Sequence, residues 1–351
     1  MRLQKEKILI TGGAGFIGSH LVDRLVAEGY PVAVVDNLSS GSPLNLNPAV
    51  LSHTNGCSLY RMDIRDPELN RVFQIERPAY VYHLAGHIDL RFSVEDPLHD
   101  IDINIAGGIN ILKNVLCENV KKIIFASSGG AIYGELPENM QSFPYNHPPS
   151  PASPYGYSKL MMEKYLGFAH EAYNLNSVAL RFSNVYGPRQ ELSKESGVIA
   201  IFTNALFNKK PLVIYGNGNQ TRDYMYIDDC VDMLMRSLHM HLHGVFNVST
   251  GQKTSVKKIT ELLSSYTDIP FEIRHDEEKK GDVQHSCLDY SVTKNLTGWE
   301  PKTTVEEGIQ KTLDWAKKQK EIPADETSST DLYQSIFGRR TRHWFHGSLW
   351  R

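Results

Sequence analysis

The chain has 351 residues, 41% of them hydrophobic and 22% charged, with a formal net charge of -3. That length allows a large core, in two lobes, while the near-neutral balance argues against a nucleic-acid partner, which would require a basic face. No apolar run approaches the roughly 20 residues of a membrane span, so no membrane association is expected.

The N-terminus runs almost at once into a strand, which is not the pattern of a signal peptide. Four widely separated cysteines (Cys57, Cys117, Cys230 and Cys287) include no Cys-x-x-Cys pair; they read as reduced thiols and place the chain in the cytoplasm. The histidines show no ligand spacing with a carboxylate, so no metal is expected.

In chain order, Lys7-Ile8-Leu9-Ile10 predicts a strand running into a glycine turn. Residues 16–28, with Ile17, Leu21, Val22 and Leu25 at helical spacing, predict the helix after it. Strands at 32–36 and 80–85, a helix at 101–120 and a strand at 122–127 continue the alternation. Such a rhythm means α/β architecture, a doubly wound parallel sheet with ligands at the carboxyl ends of its strands. After Arg181 the rhythm changes: a turn at 184–189, a helix at 198–207, a polar loop at 216–220, a strand at 222–227 and a helix at 228–238. A mixed α/β stretch then ends in a helix at 305–317.

Gly12-x-x-Gly15-x-x-Gly18 lies between a strand and a helix, and Asp36 closes the next strand. Gly12 permits the tight turn, Gly15 lets backbone approach a pyrophosphate, and Gly18 allows close helix packing. The helix N-terminus around Phe16 and Ile17 then faces phosphates. Asp36 suits two ribose hydroxyls and repels a 2'-phosphate, which favours NAD over NADP. Asp63 follows another strand and reads either as a partner of the adenine amino group or as a plain turn acid.

Ser153-Pro154-Tyr155-Gly156-Tyr157-Ser158-Lys159 carries the chemistry. Tyr155 and Lys159 share a helix face, where the ammonium would lower the phenol from about 10 toward working pH. The phenol would then be a base removing a hydroxyl proton while hydride leaves the same carbon for the nicotinamide. Hydroxyls at the end of strand 122–127 supply the third member. Those hydroxyls belong to Ser127 and Ser128.

These residues, with Asn184-Val185-Tyr186-Gly187-Pro188, Arg222-Asp223-Tyr224 and Gly281-Asp282, resemble the extended short-chain dehydrogenase/reductase family of nucleotide-sugar epimerases and dehydratases. The resemblance spans residues 5 to about 317 and is greatest to its UDP-hexose 4-epimerases. It implies a Rossmann-type NAD-binding domain at 1–180 with 224–245 returning to it, a nucleotide-sugar lobe from 181–223 and 246–317, and a tail at 318–351. Tyr155 would act on the sugar's 4-hydroxyl, Ser128 would relay its proton, and Lys159 would hold the nicotinamide ribose. The family's hydroxyl position falls on Ser128 counted from Phe125 and on Gly129 counted from Tyr133, so Ser128 is favoured, with Ser127 behind it. The implied cofactor site also takes in Asn37, Ile64, Leu84, Ala85, Gly86 and Asn104.

On the substrate side, Asn184 and Arg222 would grip the diphosphate, Tyr215 would stack on uracil and Asp282 would bind the uridine ribose. Val198 and Ser127 belong to the same implied site. Lys279 stands where the family often has arginine and cannot reproduce a bidentate grip.

Gly129-Gly130 stand where dehydratases carry Asp-Glu, and the decarboxylases' glutamate is absent too. What remains is oxidation at C4, rotation of the 4-keto sugar and reduction from its other face. Ser286 stands where epimerases restricted to glucose and galactose carry tyrosine, so UDP-N-acetylhexosamines are expected beside UDP-glucose and UDP-galactose. Alternatives are UDP-glucuronate 4-epimerisation, a nucleotide-sugar reductase, or a catalytically silent NAD-binding protein. A homodimer through helices at 101–120 and 155–173 is implied as well.

Overall fold

The computed structural model describes residues 5–190, 197–278 and 282–321. Seven strands form one parallel sheet: β1 (Ile8–Thr11), β2 (Val32–Asp36), β3 (Ser58–Arg61), β4 (Tyr80–His83), β5 (Lys122–Ser128), β6 (Asn176–Phe182) and β7 (Gly244–Val248). Their spatial order is β7-β6-β5-β4-β1-β2-β3, with the order of winding reversing between β1 and β4. This is the doubly wound arrangement expected, and it sets its crevice at the carboxyl ends of those two strands.

Every residue of β1 and β2 is buried, as strands covered on both faces require. Strand alternation divides the core in two: Ile8 and Ile10 belong to one apolar cluster and Leu9 to the other. The helices Phe16–Ala27 and Ile227–His239 lie against each other on the first of these faces. The second cluster takes Ile111 and Val115 from the helix Gly108–Cys117, with Met162 and Leu166 from the helix Pro154–Tyr173.

Some elements differ from expectation for local reasons. The helix expected at 101–120 starts at Pro97 and contains a π-helical stretch, Asp102–Gly107, before continuing as Gly108–Cys117. A Cβ on Gly107 would stand 2.7 Å from Ile64 Cδ1, and one on Gly108 2.7 Å from Met162 Cε, so both glycines let neighbouring elements close in. The strand expected at 222–227 is broken into Thr221–Arg222 and Tyr224–Tyr226. Between them Asp223 turns inward and accepts from the Thr250 and Gly251 amides, each at 2.9 Å.

The turn at 184–189 opens as a short strand, Asn184–Tyr186, parallel to Tyr224–Tyr226. β7 stays in the sheet through Val248, past the boundary expected at 245. The last helix runs Val305–Glu321, beyond residue 317. Residues 322–351, with the rest of the expected tail, lie outside the described residues.

Among the described residues no helix is long and apolar enough to cross a membrane, and no group of three or more His, Cys, Asp or Glu is placed to hold a metal ion. The four cysteines are unpaired.

Candidate active site

The cradle forms where β1 turns into the helix Phe16–Ala27. Gly12 has φ 72°, and a Cβ there would stand 2.7 Å from the Ala85 amide nitrogen. At Gly18 a Cβ would fall 2.1 Å from the Gly12 carbonyl oxygen, so only glycine lets this helix start so close to the turn. Gly15 caps the helix without a side-chain hydrogen bond, and no acid stands in the first turn. Its leading amides, at Phe16 and Ile17, therefore face the crevice without a side-chain acceptor, which suits an anionic pyrophosphate.

Asp36, at the end of β2, accepts from the Ala14 amide at 2.9 Å and the Leu38 amide at 2.8 Å. Burial raises its carboxyl above the usual range, against the pull of those two amides. Asp63 and Asn37 meet each other: Asn37 Nδ2 donates to Asp63 at 2.9 Å. Arg65 donates to both oxygens of Asp63 at 2.8 Å and holds its carboxyl far below the usual range. Asp63 thus has the bonding of a turn acid. The Ile64 side chain packs into the core, and its carbonyl oxygen accepts from Asn110 Nδ2 at 2.8 Å.

The loop after β4 forms the far wall. Leu84 donates its amide to the Thr11 carbonyl at 3.1 Å and Ala85 to the Thr11 hydroxyl at 3.3 Å. Asn104, buried in the π-helical stretch, accepts from the His87 amide at 2.9 Å and donates to the His87 carbonyl at 2.9 Å. Gly86 stands between that amide and the lysine: a Cβ on it would lie 2.7 Å from Asn104 Oδ1 and 3.5 Å from Lys159 Nζ.

The helix Pro154–Tyr173 begins with Ser153, whose Oγ accepts from the Gly156 amide at 3.2 Å, and with Pro154 at its first turn. That start fixes Tyr155 and Lys159, which are 8% and 4% exposed. Ser128, the last residue of β5, stands by the Tyr155 hydroxyl and favours its ionised form. Lys159 Nζ donates to the Ala126 carbonyl at 2.9 Å and lies 5.7 Å from the Tyr155 ring centroid. Ser127 is a correction to expectation: strand alternation turns it away, and its hydroxyl donates to Glu163 Oε1 at 2.6 Å.

Protonation also departs from the expected direction. Burial pushes the Tyr155 phenol up to about 12, with the Ser128 hydroxyl opposing it. Lys159 stands over the Tyr155 ring, and burial lowers its own ammonium to about 8.

On the open side, Gly130 marks a convergence. A Cβ there would lie 3.7 Å from Ser286 Oγ and 3.8 Å from Asn184 Oδ1, so both groups stand near the chain just past Ser128. Ser286 is 4% exposed, so it is not a surface hydroxyl. Arg222 Nη1 donates to the Thr221 carbonyl at 2.9 Å and to that of Gln284 at 3.3 Å, which holds it beside the same segment. Tyr215 closes the strand Leu212–Tyr215 and Val198 opens the helix Val198–Phe207; both are partly open to solvent. Asp282 is exposed, and Lys279 and Gly281 lie outside the described residues.

The sequence reading missed Asp100 and Ser158, both buried beside this pair. The one available signal was Asp100 four residues before Asn104, on a common helix face.

A family model described as the NAD dependent epimerase/dehydratase family matches residues 8–249. The crystal structure of UDP-glucose 4-epimerase with UDP-glucose from Thermotoga maritima is 42% identical, with a TM-score of 0.85, covering 90% of this chain and 100% of that one. The Thermus thermophilus UDP-glucose 4-epimerase complex with NAD is 38% identical at a TM-score of 0.83, over 89% of this chain and 99% of that one. UDP-N-acetylglucosamine 4-epimerase from Methanobrevibacter ruminantium M1, in complex with UDP-N-acetylmuramic acid, is 34% identical at 0.83, over 90% and 100%. The glycine cradle, its uncapped helix start and the extent of these matches agree: the chain belongs to the NAD-dependent epimerase/dehydratase family.

Proposed function

We propose that this protein is an NAD-dependent UDP-hexose 4-epimerase, interconverting UDP-glucose and UDP-galactose and also the N-acetylhexosamine pair. The observation that carries this reading is buried Tyr155 with Lys159 one turn along its helix and Ser128 at the end of β5, followed by two glycines rather than acids. A phenol acceptor followed by a Gly129-Gly130 stretch without acids suits removal and return of a hydroxyl proton, and offers no acid at that stretch for eliminating water.

NAD, when bound in the cradle, supplies a reversible two-electron acceptor for the sugar's C4. Gly12, Gly15 and the leading amides of the helix Phe16–Ala27 would hold its pyrophosphate, and Asp36 its adenosine ribose. The Tyr155 oxygen takes the 4-hydroxyl proton, Ser128 passes it across, and the Lys159 charge favours the phenolate. Asn184 and Arg222 would orient the diphosphate, while Ser286, small and beside Gly130, leaves room at C2.

Homodimer formation is part of the same reading. Tyr157, Met161, Tyr165 and Phe168 recur at helical spacing on one face of Pro154–Tyr173 and are exposed. An apolar stripe of this kind favours burial against a second copy. We also assign the protein to the cytoplasm, which its unpaired thiols support.

The test is proton NMR of UDP-galactose, and separately UDP-N-acetylgalactosamine, with purified protein and no added cofactor. Appearance of the gluco epimers supports 4-epimerisation with retained NAD. No change in either, even after NAD is added, overturns the substrate assignment.

A further inference from the structure

The Asp100 carboxylate is fully buried and has no role in the chemistry described so far. One oxygen accepts from the Ser158 hydroxyl at 2.5 Å, and the other from Asn104 Nδ2 at 2.8 Å, with His87 Nδ1 at 3.5 Å. Ser158 lies between Tyr155 and Lys159 on the same helix, while Asn104 and His87 carry the loop after β4. Asp100 therefore ties three elements of the site together: its own helix, that loop and the first turns of Pro154–Tyr173.

The surrounding charges give this carboxylate a second consequence. Lys159 is buried and, among the described residues, its Nζ has one hydrogen-bond partner, the neutral Ala126 carbonyl. Two carboxylates bear on it, Asp100 and then Glu163. Glu163 is already matched by Arg181, whose Nε and Nη2 reach its two oxygens at 2.8 and 2.6 Å. Among the described residues, the only cation-forming side chain bonded to Asp100 is His87, at the limit of ion-pair distance. Asp100 also opposes phenolate formation at Tyr155. The other titratable groups facing this cluster are His83, on which the Lys159 charge acts, and Tyr155 itself.

We propose that Asp100 is a positioning residue that anchors the Tyr155–Lys159 turn through Ser158 and, as the counter-charge to Lys159, sets the pH at which that pair releases its proton. A negative charge favours the protonated form of both neighbours, so removing it makes both more acidic and moves the pair's proton release to lower pH. The inference rests on Tyr155 and Lys159 being the working pair of the proposed reaction.

The test uses full-length protein with [13Cε]lysine, following Lys159 by NMR against pH, its resonance assigned by its loss in Lys159→Met. In Asp100→Asn the midpoint should fall by about one pH unit, and the acid limb of kcat/KM should shift the same way. A folded Asp100→Asn protein with an unshifted Lys159 midpoint overturns the proposal, whatever its melting temperature.

Ser158→Ala removes the anchor but keeps the charge. It should leave the midpoint near wild type and lower kcat several-fold with KM little changed. Wild-type kcat in that variant would show the anchor to be idle, and this test stands even if Asp100→Asn does not fold. Tyr155→Phe serves as the control: full activity in it would sink the assignment of the base, while the Lys159 titration would still judge Asp100.

Discussion

Ser127 and Ser128 are neighbours on β5 with different surroundings: Ser127 donates to Glu163 at 2.6 Å, whereas the Ser128 hydroxyl acts on the Tyr155 phenol and favours its ionised form. Ser127→Ala leaves Glu163 held by both nitrogens of the Arg181 fork. It should cost about 1 kcal/mol of stability and little activity. Ser128→Ala removes the hydroxyl that favours the phenolate, so kcat should fall by about 10²-fold with the melting temperature nearly unchanged. Steady-state rates beside thermal melts check both, and the opposite pattern would exchange the two roles.

The pH dependence of the proposed reaction follows from Tyr155 and Lys159 together. With the phenol near 12 and the ammonium near 8 in the free protein, the pair loses its first proton near 8. The productive arrangement, phenolate beside ammonium, is one form of that singly deprotonated pair. kcat/KM should therefore rise with pH toward about 8 and then level off. Lys159→Met should move the rise toward the phenol's own value and leave activity at pH 7 down by 10²-fold or more. Initial rates from pH 5.5 to 9.5 decide it: a Lys159→Met profile coincident with wild type would remove the lysine from the proton transfer.

The parallel sheet was legible because buried strands and amphipathic helices alternate openly in the first half. The glycine spacing before Phe16 likewise announced the cradle. What sequence could not give was long-range. Asn184–Tyr186 is too short to carry a period and exists as a strand through its pairing with Tyr224–Tyr226. Spacing put Tyr155 and Lys159 on one face correctly, but the depth of burial, which decides the direction of the phenol's shift, depends on elements far away in sequence. Asp100 was missed for the same reason: its spacing to Asn104 could be read, but its partner Ser158 lies 58 residues on.

His83 gives a stability prediction. It is buried at the end of β4, bonded to the Thr11 hydroxyl at 2.8 Å, and burial together with the Lys159 charge lowers its pKa to about 3. The unfolded chain, with histidine near 6.5, then binds a proton between about 6.5 and 3 that the folded protein does not. Stability must fall as pH falls through that window, by about 2–3 kcal/mol between 6.5 and 4.5. His83→Asn cannot titrate there and should flatten the slope. Urea unfolding at both pH values reads the difference, and equal slopes in the two proteins would mean that His83 protonates without unfolding.

Ser286 is where substrate range should be decided. It is buried, and its hydroxyl lies 3.7 Å from where a Cβ on Gly130 would stand, just past the proposed proton relay at Ser128. Ser286→Tyr would fill the space assigned to a C2 N-acetyl group, so kcat/KM for UDP-N-acetylgalactosamine should fall on the order of tenfold or more relative to UDP-galactose. Overpacking costs stability as well, but that loss falls on both substrates and cancels in their ratio. Ser286→Ala keeps the space and should leave the ratio near wild type, separating room from hydroxyl. If Ser286→Tyr left the ratio unchanged, the N-acetyl group would have to lie elsewhere, and its acceptance would not depend on this residue.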